Sequence, residues 1–256
     1  MRLILAILCL LAVLFAACGG GGEGKEGNST TPQAAVTSSS QSTTSSDTTP
    51  SGGATSTPIP DPFAGLQSYH YMMEMSGDGA NSVIIKGSVK APDSIAVDFY
   101  LAGSDTPVNS MIIIGTQAWS KNSTSGQWQQ VDIAEAEGGL GPILPGQFWG
   151  SLLTDQLVSL GKDLGGENVN GVPARHLQIS EVDADTLRKL TDTVVGTGGP
   201  QPDSASMELW LAEDGRWPAK ADITLNFPSG SEISTAEIAW EVSDVNSSAI
   251  SIQPPL

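Results

Sequence analysis

Met207-Glu208-Leu209-Trp210-Leu211-Ala212-Glu213-Asp214-Gly215-Arg216-Trp217-Pro218-Ala219-Lys220-Ala221-Asp222-Ile223-Thr224-Leu225 carries two alternating runs around one turn. Glu213-Asp214-Gly215 supplies the turn chemistry, and apolar residues recur every second position on either side of it. That period is the mark of antiparallel strands. Pro228-Ser229-Gly230-Ser231 turns the chain again. Beyond it Ala236, Ile238, Trp240 and Val242 point one way, and Thr235, Glu237 and Glu241 the other. The stretches 205–213, 217–227 and 232–243 therefore read as a meander with one face on a core and one in water.

The same alternation recurs toward the N-terminus. In 67–76, Tyr69, Tyr71, Met73 and Met75 share a face; in 82–90, Val83, Ile85 and Val89 oppose Lys86, Ser88 and Lys90. After the turn Ala91-Pro92-Asp93 come Ile95, Val97, Phe99 and Leu101. Further strands are expected at 108–114, 117–121 and 127–132, with Asn122–Gly126 turning between the Trp119 and Trp128 strands, and at 172–181 after Asn170-Gly171. Two segments have helical spacing instead. Phe148, Leu152, Leu153, Leu157 and Leu160 recur in 147–162; Leu187, Leu190 and Val194 follow a candidate N-cap, Asp183, in 183–195. The sum is an α+β fold: a curved antiparallel half-barrel sheet of about nine or ten strands with two helices covering its concave face.

Two amphipathic helices offer less apolar surface than so many strand faces, so a hydrophobic pocket between sheet and helices is expected. Alternation assigns its lining to Met73, Met75, Ile85, Val97, Phe99, Ile112, Ile114, Leu153, Leu157, Leu209, Leu211, Ile223, Ile238 and Trp240. Residues 138–149 join apolar bulk to glycines and prolines, as a lid at the pocket mouth or a plain helix entry. The methionines Met72, Met73 and Met75 suit an adaptable apolar ligand or an ordinary core equally. The six tryptophans read as core residues before sugar-stacking platforms.

The N-terminus sets the compartment. Arg2 precedes an apolar run from Leu3 to Phe15, and Phe15-Ala16-Ala17-Cys18 follows. Residues 1–17 read as a signal peptide with a small-residue cleavage site; the run is short of the roughly 20 residues of a membrane span. A cysteine directly after that site resembles the lipobox of bacterial lipoproteins. The resemblance implies lipidation of Cys18 and display on the extracytoplasmic face of the cell membrane. Cys9 leaves with the signal peptide, so no thiol remains in the folded part. Residues 19–62 hold 31 Gly, Ser, Thr or Pro in 44 positions and no aromatic residue, the composition of a disordered tether. With Cys18 they form a unit 18–62, and 63–256 is one folded domain.

Composition excludes several functions. With 28 acidic against 11 basic residues the formal charge is −17, which argues against nucleic acid and against docking on anionic headgroups. Attachment to the membrane is then left to acyl chains. His70 and His176 are the two histidines, and no G-x-S-x-G, H-E-x-x-H or cysteine constellation accompanies them. Asp183-Ala184-Asp185 reads as a helix cap rather than a calcium ligand set. No catalytic residue, metal or cofactor is expected.

Four segments in order carry a family resemblance: Leu66-Gln67-Ser68-Tyr69-His70-Tyr71, Gly115-Thr116-Gln117-Ala118-Trp119, Val169-Asn170-Gly171-Val172-Pro173-Ala174-Arg175-His176-Leu177, and Leu209 through Lys220. With the lipobox and the inserted helices they resemble the LppX/LprG-type lipoproteins, relatives of the LolA/LolB lipoprotein carriers. The resemblance implies a half-barrel closed by helices around a hydrophobic cavity for acyl chains, and partners among lipids, glycolipids or lipoproteins. The expected function is a membrane-anchored lipoprotein that binds a lipid or acyl chain. The alternative is a non-catalytic envelope scaffold or regulatory lipoprotein with a filled core.

Overall fold

Eleven strands among the described residues form one antiparallel sheet. They are β1 (Ser68–Gly77), β2 (Val83–Lys90), β3 (Ser94–Leu101), β4 (Asn109–Ile114), β5 (Gln117–Asn122), β6 (Gln129–Val131), β7 (Lys162–Val169), β8 (Val172–Ile179), β9 (Ser204–Ala212), β10 (Pro218–Asn226) and β11 (Thr235–Ser243). The computed structural model describes residues 61–78, 82–194, 200–214, 217–231 and 233–255. The expected signal peptide, Cys18 and the tether up to residue 60 lie outside them, as do Gly215 and Arg216 of the β9–β10 turn.

The strand order is β6-β5-β4-β3-β2-β1-β11-β10-β9-β8-β7. The chain thus starts in the middle of the sheet and meanders out to one edge at β6. It then crosses to the opposite edge at β7 and meanders back until β11 pairs with β1, Met73 facing Trp240. Nothing pairs β6 with β7 among the described residues, so the sheet stays open. The link from β6 to β7 must traverse a whole face of the sheet, and it does so as helices. These are α1 (Ile133–Leu140), a 3-10 turn (Gly141–Ile143), α2 (Pro145–Leu152) and α3 (Asp155–Leu160). A further helix, α4 (Ala184–Val194), joins β8 to β9 and lies against α2.

Curvature follows from what this short cover touches. α1 meets β4 and β5, Trp149 of α2 meets Trp240 of β11, and α3 meets β8. In a flat sheet β5 and β8 would stand roughly 38 Å apart at ~4.8 Å per strand. Three helices of 8, 8 and 6 residues thus touch both wings of the open sheet, the arrangement of a half-barrel over its cover.

Local chemistry explains the element ends and the departures from expectation. Asn170 (φ 50°) and Gly171 (φ 85°) form the β7–β8 turn with both central residues left-handed, which matches the strand twist. The strand expected at 127–132 is cut to 129–131 because Asp132 caps α1, its Oδ1 accepting from the Ala134 N–H at 2.8 Å. The single helix expected over 147–162 is two helices. Thr154 is extended (φ −120°, ψ 157°), and its Oγ1 accepts from the Leu157 N–H at 3.1 Å, so α3 starts afresh there. Asp183 does cap its helix, accepting from the N–H groups of Asp185 (3.0 Å) and Thr186 (3.1 Å). β7 escaped the pattern because residues 162–168 are exposed on both faces, as an edge strand with nothing to bury.

Candidate functional site

The inner face of the sheet is one apolar surface. Met73 pairs with Ile85 and Trp240, Ile85 with Phe99, Val97 with Met111, and Ile223 with both Met207 and Ile238. Each of these side chains is buried. From above, Phe148, Trp149 and Leu152 of α2 and Leu157 of α3 close on it.

Its centre is aromatic, with Trp240 as hub. Tyr71 stacks on it at 5.3 Å and 21°, Trp149 meets it edge-on at 5.8 Å and 69°, and Phe63 tilts against it at 6.0 Å. Phe63 also stacks on Tyr69 at 5.2 Å and stands 6.0 Å from Trp217. Phe63 reaches in from the turn that precedes β1, so the first described residues plug the interior. Asp61 fixes that turn by accepting from the Phe63 N–H at 2.8 Å, and its carboxylate fits against α2 because Gly146 has no side chain. Tyr71 lies flat on the sheet for a similar reason: a Cβ on its partner Gly87 would stand 2.0 Å from the Tyr71 ring.

Polar chemistry in this interior is sparse and incomplete. The Trp240 N–H donates to the Pro218 carbonyl at 3.0 Å. Tyr71 Oη, Trp149 Nε1 and Trp217 Nε1 are buried with no partner among the described residues. A stranded donor costs about 1–3 kcal/mol of lost hydration. Burial pushes the Tyr71 phenol well above its ordinary range, so it remains an O–H donor.

Most of the expected lining residues come together here. Met73, Ile85, Val97, Phe99, Leu157, Leu209, Leu211, Ile223, Ile238 and Trp240 are buried in the core, none more than 6 % exposed. Met75 and Leu153 are half-buried against it. The interior is thus closed in this structure, its side chains packed on one another. Ile112 and Ile114 are a correction: they lie on the outer face, where Ile112 pairs with Ala96 and Trp119, while Met111 and Ile113 point inward. Met111-Ile112-Ile113-Ile114 is an unbroken apolar run, so it has no period-two phase to read. The register with Phe99 and Asn109 decides it. Sequence reasoning also passed over Phe63, Phe148, Trp149 and Trp217 as site residues. Tyr69 and Tyr71 carried a signal, since they share the face of Met73.

The outer face bears a separate polar cluster. His176 stacks on Trp210 at 4.1 Å, and Lys220 Nζ sits 4.3 Å over the other part of that stack, the Trp210 ring. The two His176 ring nitrogens face Glu167 Oε1 (2.9 Å) and Glu208 Oε2 (3.2 Å), and the Trp210 N–H donates to Glu167 Oε2 at 3.0 Å. The Trp210 N–H and then the imidazole hold the Glu167 carboxyl below its ordinary range. Both imidazole nitrogens are engaged and the residue is 8 % exposed, which fits a staple between strands rather than a base awaiting substrate. A groove of about 470 Å³ lies elsewhere on this face, among His70, Lys86, Asp98, Asn170 and Glu241. Among the described residues no group of histidine and carboxylate side chains is placed to hold a metal, and no helix is long and apolar enough to cross a membrane.

No family model and no curated protein matches the sequence. Solved structures do match. The lipoprotein LppX of Mycobacterium tuberculosis is 17% identical over 75% of this chain and 93% of its own, with a TM-score of 0.42. A LolA superfamily protein of Nitrosomonas europaea is 10% identical over 77% and 93%, with a TM-score of 0.28. A putative outer membrane lipoprotein-sorting protein domain of Vibrio parahaemolyticus is 12% identical over 74% and 86%, with a TM-score of 0.22.

Proposed function

We propose that this chain is a cell-envelope lipoprotein, held to the membrane by lipid on Cys18, whose domain takes the acyl chain of a lipid between sheet and helical cover. The supporting observation is the unequal build of the two layers. The sheet is continuous over eleven strands, whereas the cover over its broad apolar face is three helices of 8, 8 and 6 residues. Helices below about 12–15 residues are marginal on their own. Glycines interrupt this cover at 138, 139, 141, 146 and 150, and each costs roughly 0.5–1 kcal/mol relative to alanine inside a helix. The cover is therefore the part that opens first. Opening it presents the inner face to a chain that, moving from bilayer to protein, avoids ~0.8 kcal/mol per CH₂ of exposure to water. The domain works as a binder without chemistry on its ligand.

A second reading, a filled-core lipoprotein that engages a protein partner, has its own support in the closed interior and in the polar outer groove. Native mass spectrometry separates the two. The full chain carrying Cys18→Ser, which has no acyl group of its own, is incubated with phosphatidylglycerol vesicles and then freed of them. The acyl reading expects a one-lipid adduct; a ligand-free spectrum on folded protein sinks it and leaves the second reading.

A further inference from the structure

The outer face of the sheet differs between its two wings. Over β2 to β6, the register sets Ser88, Ala96, Ile112, Trp119 and Gln130 in one row. Ile114 follows Ile112 on the same side of β4, and Ile84 pairs with Tyr100 one strand further in. Trp128 joins this face: Lys121 Nζ stands 5.9 Å over its ring, and Lys121 pairs with Ser110 beside the row. Ile84, Tyr100, Ile112, Ile114, Trp119 and Trp128 are half-buried, their remaining surface open to solvent. The helical cover lies on the opposite side, where Ala136 and Leu140 of α1 are buried in the core. Single apolar residues on a surface are ordinary, whereas a contiguous group of them marks a contact surface.

Charge divides along the same line. Among the described residues, the outer side chains of β2 to β5 include Lys86, Lys90 and Lys121 and one carboxylate, Asp98. Asp98 accepts from the Ser110 hydroxyl, Lys90 donates to the Ile250 carbonyl at 3.0 Å, and Lys86 Nζ stands 5.0 Å over the Tyr100 ring. The outer side chains of β7 to β11 carry Glu167, Glu208, Asp222, Glu237 and Glu241 against Lys162 and Lys220. The formal charge of −17 therefore does not describe the first wing. β4 is five strand positions from β10, roughly 24 Å along the sheet at ~4.8 Å per strand. Exposed charges further apart than the Debye length of about 8 Å are largely screened. An anionic surface approaching β2 to β6 meets the lysines and little of the distant carboxylates.

We infer that this outer wing seats on the surface of the membrane that holds the chain, with Trp119 and Trp128 at headgroup level and Lys86 and Lys121 on anionic phosphates. This rests on the membrane anchor in the reading above and is independent of acyl uptake. Tryptophan and tyrosine rings at headgroup level mark a membrane–water interface, and lysines beside them are drawn to anionic lipid. Ile112 and Ile114 between the rings favour lipid over sugar, which calls for hydrogen-bonding side chains around a stacking platform. An anchor at Cys18 keeps the domain close, so a face of modest affinity is enough: a lipid and a basic patch together hold where one acyl chain alone is marginal. Seating this wing also brings to the bilayer β6, the free edge of the sheet, and α1 directly after it.

Phosphatidylcholine vesicles brominated near the headgroup end of the acyl chains, with and without phosphatidylglycerol, test it on the full chain. Flotation reads attachment, and quenching of tryptophan fluorescence reads contact with lipid. Quenching is expected to rise with phosphatidylglycerol, to fall with salt, and to be largely lost in Trp119→Phe/Trp128→Phe. Lys86→Gln and Lys121→Gln are each expected to lower the ratio of seated to free domain about fivefold, while Glu237→Gln on the far wing leaves it unchanged. Circular dichroism checks that each variant is folded. Floating protein whose quenching survives loss of both tryptophans overturns the inference and leaves acyl uptake standing, since the signal then comes from the interior. Floating protein with no quenching overturns the inference and leaves the anchor. Equal seating on phosphatidylcholine alone overturns the anionic headgroup. Quenching of Trp119 and Trp128 by soluble glycan fragments and not by lipid overturns the membrane as occupant. Protein that fails to float removes the anchor and the inference with it.

Discussion

Gly87 and Tyr71 show how tightly single residues are matched across β1 and β2. The tyrosine ring occupies the space a side chain on Gly87 would need. Gly87→Ala is expected to destabilise the domain by about 1–3 kcal/mol through overpacking. In a Tyr71→Ala background it should cost markedly less, since the colliding ring is gone. Urea denaturation of the four proteins of this cycle measures the coupling; equal cost in both backgrounds would contradict the contact.

Carboxylates set the acid limit at the same scale. Asp78 accepts from the Ser234 hydroxyl and from the N–H groups of Ser234 (2.8 Å) and Thr235 (3.1 Å), which together lower its carboxyl below the ordinary 3.8. Glu167 lies below its ordinary 4.5 through Trp210 and His176. A group depressed on folding contributes stability above its unfolded pKa and loses it as pH falls through the folded value. Stability should therefore decline as pH drops below about 4.5. Asp78→Asn and Glu167→Gln are each expected to flatten that decline, as read from melting temperature against pH. An unchanged acid limb would contradict the assigned partners.

At the scale of elements, the proposed acyl-binding reading makes the cover the weaker layer, and this is open to adjustment without touching the interior. Gly138 of α1 is exposed, with nothing within 4 Å of an added Cβ. Gly138→Ala should stabilise α1 by about 0.5–1 kcal/mol and slow lipid uptake. Thr154→Ala should do the reverse: loss of the α3 cap costs about 0.5–2 kcal/mol and should speed uptake. Stopped-flow quenching of tryptophan fluorescence by a brominated lipid reads both rates, and the same direction of change in both variants would contradict a gating cover.

The elements legible in the sequence were those whose burial differs between two faces. β1, β2, β3, β9, β10 and β11 alternate, and alternation is what a sheet with one wet face writes into a chain. β7 could not be read because an exposed edge strand buries neither face. The run Met111–Ile114 could not be phased, since four apolar residues in a row fit either register. The cover was half legible. The apolar spacing in 147–162 was visible, but its break at Thr154 depends on one side chain choosing a backbone N–H, and α1 was masked by Gly138 and Gly139. For the site, the apolar inner face could be listed by parity. The aromatic hub could not, because Phe63, Trp149 and Trp217 come from a turn, a helix and a strand entry, and their meeting is tertiary.

Across the whole molecule, the fold separates a stable half-barrel from a cover that bridges its two wings, with Phe63 plugging the space between. The closed interior and the acyl-binding reading are reconciled if the cover opens while the sheet persists. Hydrogen exchange on the full chain carrying Cys18→Ser, followed peptide by peptide, tests that most directly. The account predicts that amides of residues 133–160 exchange through an opening of lower free energy than those of β1 and β11, and that methyl palmitate slows them selectively. Exchange of cover and central strands together, at one common rate with or without the ester, would contradict it.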